Sequence, residues 1–231
     1  MVEYYALNQK LTDDWLRSAM PMKTAAVLFD VFGTLIKIEN RRSPYLQLLR
    51  HGRTRGRRPH PDDAMTLMTH DLTLSEAAIR LAIPIGYVRL QGLEGLLTEE
   101  LSSLKLYEDA LEAIHMLQAT GLKVGLCSNL AAPYGPAVRR LLPGVDAYGF
   151  SFEIGAVKPD PIVYESVCRM LEVEPGHQLG GERIVMIGDS IRCDRDGARA
   201  AGIAGFHLNR AGTSGFSNLL DFAQAVLLGG V

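Results

Sequence analysis

Ala25 to Phe29 reads AAVLF, an unbroken apolar run that stops at a carboxylate, Asp30. A strand with apolar side chains on both faces has to be covered on both, as in a parallel sheet sandwiched between helices rather than a half-solvated hairpin. The pattern returns at Lys123 to Cys127, Ile184 to Ile187 and Gly205 to Leu208, each run ending where polar or turn residues begin. Amphipathic stretches lie between them. Glu108 to Thr120 places Leu111, Ile114 and Leu117 on one helical face and ends at Gly121, which suits the positive φ of a helix C-terminus. Asp160-Pro161 opens a second helix with Val163, Val167, Met170 and Leu171 at helical spacing. Asp194 to Ala201, closed by Gly202, forms a third, and Leu219 to Leu228 a terminal one. The alternation predicts an α/β fold on a parallel sheet.

Between the first strand and Glu108 the rhythm breaks for about 70 residues, too long for an ordinary crossover. An inserted helical subdomain at 37–106 is expected there, with 1–36 and 107–231 forming the core. Eight basic residues (Lys37, Arg41, Arg42, Arg50, Arg53, Arg55, Arg57 and Arg58) and one acid, Glu39, crowd its first part. They read either as a solvated face or as an anion-attracting rim over a site. The stretch before the first strand suggests a short helix around Trp15 and no function.

Of the 231 residues, 47% are hydrophobic, enough for a buried core, and 24 Lys and Arg against 26 Asp and Glu leave a formal charge of −2. No global field draws the protein to nucleic acid or an anionic membrane, and no run is long and apolar enough to span a bilayer or to act as a secretory signal. A soluble, cytoplasmic protein is expected. Cys127, Cys168 and Cys193 are widely spaced and read as core thiols, not a disulfide framework. His51, His60, His70, His115, His177 and His207 show no zinc spacing, and neither a serine-hydrolase elbow nor a phosphate-binding P-loop occurs.

Ligands of open α/β sheets bind beyond the carboxyl ends of the strands. Four polar groups fall there: Asp30 in FDVFGTL, Ser128 and Asn129 in LCSNL, Lys158 in GAVKPDP, and Asp189, Ser190 and Asp194 in IGDSIRCD. Two carboxylates, a hydroxyl and an ammonium around a Gly33-Thr34 turn suit an anionic small molecule held with a divalent cation.

These four fragments, in this order over Ala25 to Asn209, resemble the haloacid dehalogenase superfamily of hydrolases. The resemblance implies a Rossmann-like core with a helical cap inserted after the first strand. It implies Asp30 as nucleophile, Ser128 and Lys158 as catalytic groups holding substrate oxygens, and Gly33, Thr34 and Asn129 beside the substrate. Magnesium would be held by Asp30, the backbone carbonyl of Phe32 and Asp189, with Ser190 and Asp194 in support.

Phe32 departs from the pattern. Phosphatases of that superfamily carry a second Asp at this position as general acid and base, a role worth about 10² to 10⁴ in rate, and phenylalanine has no proton to give. An aromatic residue here resembles the metal-independent 2-haloacid dehalogenases, in which halide leaves unaided and the arginines of 41–58 would receive halide or carboxylate. Those enzymes have a small polar residue where this chain has Asp189. A magnesium-dependent phosphohydrolase, a dehalogenase-like hydrolase and a non-catalytic binding protein are the three functions these features allow.

Overall fold

The computed structural model describes residues 24–176, 182–212 and 214–231. The helix expected around Trp15 lies outside them, as does His177. In chain order the first elements are β1 (Thr24–Phe29), β2 (Ile36–Ile38), α1 (Pro44–Thr54), α2 (Asp63–Thr69), α3 (Leu74–Arg80), α4 (Tyr87–Ser102) and β3 (Leu104–Leu106). They are followed by α5 (Ala110–Gln118), β4 (Lys123–Ser128), α6 (Gly135–Leu141), β5 (Ala147–Phe150), α7 (Ser151–Ile154) and α8 (Pro161–Met170). The last are β6 (Arg183–Gly188), a π-helical turn at Ile191–Gly197, α9 (Ala198–Ala200), β7 (Ala204–His207) and α10 (Leu219–Leu227).

The main sheet has the order β5-β4-β1-β6-β7 with parallel neighbours throughout. β1 is central: the chain builds outward to β4 and β5 on one side, then crosses to β6 and β7 on the other. That reversal puts a crevice at the carboxyl end of β1, the place where open α/β sheets bind ligands. The period-2 alternation of the central strand explains the double cover. Val27 and Phe29 face one core with Leu117, Phe222 and Val226, whereas Ala26 and Leu28 face the other with Val163, Val167 and Leu171. The α/β, Rossmann-like reading is therefore the observed architecture.

The four strands read from the sequence are present within one or two residues. β5 was not anticipated. It is four residues long, has a glycine inside, and lies at the sheet edge, so it carries little of the β-branched signal that marks a strand. Gly149 is there for packing: a Cβ built on it would lie 2.0 Å from Val167 Cγ2 of α8 and 2.9 Å from the Leu126 carbonyl oxygen.

The long interval after β1 also holds two short strands that were not expected. β2 and β3 pair antiparallel in the register Ile36↔Leu106, Lys37↔Lys105 and Ile38↔Leu104. The chain leaves the sheet and returns to it through this ribbon, with α1 to α4 between its strands. Buried Leu48, Leu67, Leu74 and Leu93 of those helices join the same apolar cluster as Val27 and Phe29.

Helix boundaries follow their end signals closely. Asp160 caps α8 by accepting from Ile162 N at 3.0 Å, and Gly121 and Gly202 adopt φ of 82° and 78°. Two residues assigned to apolar faces are instead exposed, Leu111 at 40% and Met170 at 48%, because Ala110, Ala113 and Ile114 in α5 and Cys168 in α8 take the inward positions. The helix expected from Asp194 begins earlier, at Ile191, as a π-helical turn capped by Ser190 Oγ, which accepts from Cys193 N at 3.2 Å. No described helix is long and apolar enough to cross a membrane.

Gly149→Ala is expected to lower stability by about 1–3 kcal/mol, since the new methyl overlaps Val167 and backbone. Gly144→Ala, with nothing within 4 Å of its added Cβ, is the matched control and is expected to stay within about 0.5 kcal/mol. Urea denaturation of the two variants checks the difference.

Candidate active site

The polar groups at the strand ends converge on Asp30. Its backbone N–H donates to Ile187 O at 3.0 Å, carrying the β1–β6 ladder one residue past the strand. The chain then turns at once: Leu35 N and Ile36 N both donate to Val31 O, at 2.9 and 2.8 Å, and Gly33 N donates to Ile36 O at 2.9 Å. Gly33 has φ of 85°, and a Cβ on it would fall 2.1 Å from Asp189 Oδ2. Only glycine satisfies both the positive φ and the close approach of that carboxylate.

Lys158, 4% exposed, is the hub. Its Nζ donates to Asp30 Oδ1 at 2.9 Å, Asp194 Oδ1 at 2.6 Å and Cys127 O at 2.6 Å. Burial alone would pull its pKa down, but Asp30 and Asp194 outweigh burial and hold the ammonium well above its ordinary value. Ser128 Oγ also donates to Asp30 Oδ1, at 3.2 Å, while among the described residues Asp30 Oδ2 has only a long contact, 3.4 Å, from Thr34 Oγ1. The Asp30 carboxylate is thus held by one oxygen and left freer at the other.

Asp194 is 1% exposed, and its second oxygen accepts from Ser190 N at 2.9 Å. Burial, opposed by Lys158, pushes its carboxyl up to about 6. A Cβ on Gly188 would lie 2.2 Å from Asp194 Oδ2, so this glycine too makes room for a carboxylate.

Asp189 differs from the other two. It has no ion pair among the described residues, and burial followed by the nearby Asp30 raises its pKa. One oxygen from each of Asp30, Asp189 and Asp194 lies within 4.8 Å of the others. Three carboxylates against one ammonium give the site a formal charge of −2. Hard oxygen donors, a twofold negative excess and one unpaired carboxylate fit a small divalent cation.

Other residues expected beside a substrate support the frame. Both ends of the Asn129 amide are on the Lys158 backbone: Nδ2 donates to Lys158 O at 3.0 Å and Oδ1 accepts from Lys158 N at 2.7 Å. Asn129 therefore fixes the lysine loop, although it also borders a cavity. Thr34 is fully buried, with its hydroxyl on Asp30 and its carbonyl accepting from Arg210 Nη2 at 2.7 Å. Gly33 serves the turn. Cys127 and Cys168 are core thiols as expected, whereas Cys193 is half-buried, with Sγ 3.6 Å from Lys158 O.

Residues that no motif marks complete the surroundings. Arg210 pairs with Asp109, at 3.0 and 2.9 Å, and its guanidinium lies 3.9 Å from the centroid of the Tyr107 ring, tying the loop after β7 to the return of the β2–β3 ribbon. Glu100, 3% exposed at the end of α4, accepts from Ser43 N at 2.6 Å, from Arg42 N, and from Tyr134 Oη at 2.7 Å. The Tyr134 ring meets Phe32 edge to face at 5.6 Å between centroids. The basic run of 41–58 divides in the same way: Arg57 makes a paired contact with buried Asp63 and Arg42 reaches Glu99, while Arg41 borders the cavity beside Phe32.

Lys158→Met, measured in EDTA, is expected to cost about 3–5 kcal/mol because it leaves Asp194 buried without a counter-charge. Adding Asp194→Asn removes that charge and is expected to restore part of the loss. A double variant no more stable than the single one in urea denaturation would contradict the assignment of Lys158 as the charge hub.

Residues 24–202 match the haloacid dehalogenase-like hydrolase family. A comparison with curated proteins finds no match. Among solved structures, a haloacid dehalogenase phosphatase from Thermococcus onnurineus has 24% identity, covers 90% of this chain and 99% of its own, and superposes with a TM-score of 0.59. A hydrolase of the same superfamily from Ehrlichia chaffeensis has 21% identity over 91% and 99% with a TM-score of 0.56. An L-2-haloacid dehalogenase from Xanthobacter autotrophicus, with chloropropionic acid covalently bound, has 20% identity over 82% and 79% with a TM-score of 0.53. At these identities the likeness is one of fold, and phosphatases and dehalogenases share it.

Proposed function

Because the chain belongs to the haloacid dehalogenase-like hydrolases, we propose that it is a magnesium-dependent phosphohydrolase of small phosphate monoesters with Asp30 as nucleophile. The observation that carries this reading is the charge of the site. Asp189 adds a third carboxylate that Lys158 does not neutralise, leaving −2 where an anionic substrate has to enter. Without a cation a phosphate or a 2-haloacid carboxylate would meet net repulsion, about 1 kcal/mol per close charge pair even at the dielectric of water. Asp30, the Phe32 carbonyl and Asp189 would hold magnesium, which supplies charge stabilisation at the phosphoryl oxygens when bound.

The chain's own groups account for the remaining chemistry. Lys158 and Ser128, both donating to Asp30 Oδ1, orient the carboxylate for attack on phosphorus. The P–O bond to the leaving group breaks as the aspartyl phosphate forms, and Phe32 gives that leaving oxygen no proton. Departure is therefore confined to groups stable as anions. The same absence weakens the second half-reaction, because no carboxylate at position 32 draws a proton from the water that attacks the aspartyl phosphate. The covalent intermediate should outlast the first step.

The dehalogenase reading has one specific observation in its favour, the aromatic Phe32 beside a cavity that Arg41 borders. Asp189 opposes it.

With 4-nitrophenyl phosphate, a burst of about one nitrophenolate per enzyme is expected before a slower steady state, the signature of an accumulating covalent intermediate. EDTA or Asp30→Asn should abolish it. Chloride release from 2-chloropropionate that is indifferent to EDTA would replace this proposal with the dehalogenase reading. Phe32→Asp should accelerate the slow phase by about 10²-fold, the low end of what a positioned acid or base contributes. No acceleration in a folded variant would show that the missing carboxylate does not limit turnover.

A further inference from the structure

A cavity of about 380 Å³ opens between the segments that follow β1 and β4 and the helices α1 and α2, within the roughly 300–1,000 Å³ range of small-molecule sites. Its walls include Phe32, Tyr45, Leu49, Leu67, Met68 and Tyr134. It lies beside the Asp30 cluster without being lined by it: Phe32 is two residues beyond Asp30, and neighbouring Asn129 follows Ser128, whose hydroxyl is on Asp30. Among the described residues the one carboxylate in the wall, Glu100, already accepts from two backbone N–H groups and the Tyr134 hydroxyl, so it presents little to a ligand. Those bonds hold Tyr134 against Phe32 and make the aromatic wall a fixed surface.

Phe32 also removes the proton that an alkoxide leaving group requires. The shape and polarity of the cavity and the missing acid are separate observations, and both select the same leaving group. We infer that the substrate is a phosphate monoester of an apolar aromatic alcohol, its ring seated in this cavity; the inference rests on the phosphohydrolase reading above. As Asp30 bonds to phosphorus, the P–O(aryl) bond breaks and its electron pair stays on the aryl oxygen. Delocalisation into the ring stabilises that phenolate, which takes a proton from water once released. A polyol phosphate is disfavoured twice: it leaves as an alkoxide, and beside Arg41 and Ser43 the wall is mainly aromatic and aliphatic, so that most of its hydroxyls would lose hydrogen bonds on burial.

The test compares kcat/KM, which reports the steps up to phosphoryl transfer, for phenyl phosphate, 2-naphthyl phosphate and glycerol 3-phosphate. Acetyl phosphate, small and independent of an acid, is included to monitor the Asp30 chemistry itself. The second ring is expected to raise kcat/KM about tenfold over phenyl through added apolar burial, with glycerol 3-phosphate about 10² below phenyl. 2-Naphthol is expected to inhibit acetyl phosphate turnover competitively. Acetyl phosphate turnover without any gain from the second ring and without inhibition by 2-naphthol would overturn the aromatic assignment and leave the phosphohydrolase standing. Failure to turn over any of the four, acetyl phosphate included, would overturn the phosphohydrolase reading and this inference with it.

Discussion

One ammonium group organises the reactive end of this protein. Lys158 Nζ is buried against Asp30, Asp194 and a β4 carbonyl, and a charge so enclosed is tolerable only when every donor finds an acceptor and the net charge is offset. Four segments distant in sequence are thereby required to meet: the ends of β1 and β4, the loop before α8, and the turn after β6. The Asn129 amide ties the β4 end in again by gripping the Lys158 backbone from both sides. A buried ion cluster of this kind is poor evidence for stability in itself, since an apolar replacement of equal shape is often as stable. Its value is positional. It fixes the Asp30 carboxylate at the mouth of a parallel sheet, where the strand order reverses.

Close approach of carboxylates to backbone is the second constraint, and it explains two glycines. Gly33 and Gly188 each stand where a methyl group would overlap a carboxylate oxygen, of Asp189 and Asp194 respectively. Gly33 combines this with a positive φ, so the turn that ends β1 and the placement of Asp189 are one steric problem with one solution. Gly188 ends β6 beneath Asp194. Acidic density accumulates over the strand ends because the backbone there has been kept bare.

Much of this was legible in the residues alone, for physical reasons. Buried parallel strands announce themselves as continuous apolar runs, and β1, β4 and β6 did so; helix ends carry their own chemistry, as Asp160 and Gly121 show. Elements without those signals are not marked in the residues. β5 is a short edge strand whose central glycine yields to Val167, and β2 and β3 are three residues each, paired with one another rather than with the main sheet. Leu111 and Met170 fit a helical stripe by spacing, yet smaller neighbours took the interior. Asp30, Ser128, Lys158, Asp189 and Asp194 stood out by their joint order, which resembles a known family, and the fold brings them together, Lys158 from the loop before α8. Glu100, Tyr134 and Arg210 were not, since their roles arise from contacts across 34 to 176 positions of sequence that no local pattern encodes.

Phe32 gathers these strands of argument. Seen as a missing acid it is a defect, and the carboxylates around it look like machinery deprived of a part. In the folded chain the ring has a partner of its own, Tyr134, which in turn donates to Glu100, a carboxylate that also accepts from two backbone N–H groups. Restoring an acid at this position would therefore remove a wall as well as add a proton. A site that gives up general acid catalysis must choose substrates by the stability of what leaves, and a site lined by aromatic and aliphatic side chains chooses by what will sit against them. On the phosphohydrolase proposed above, the same side chain both withholds the acid and forms part of the cavity wall, so leaving-group chemistry and leaving-group shape would be coupled at one position of the sequence.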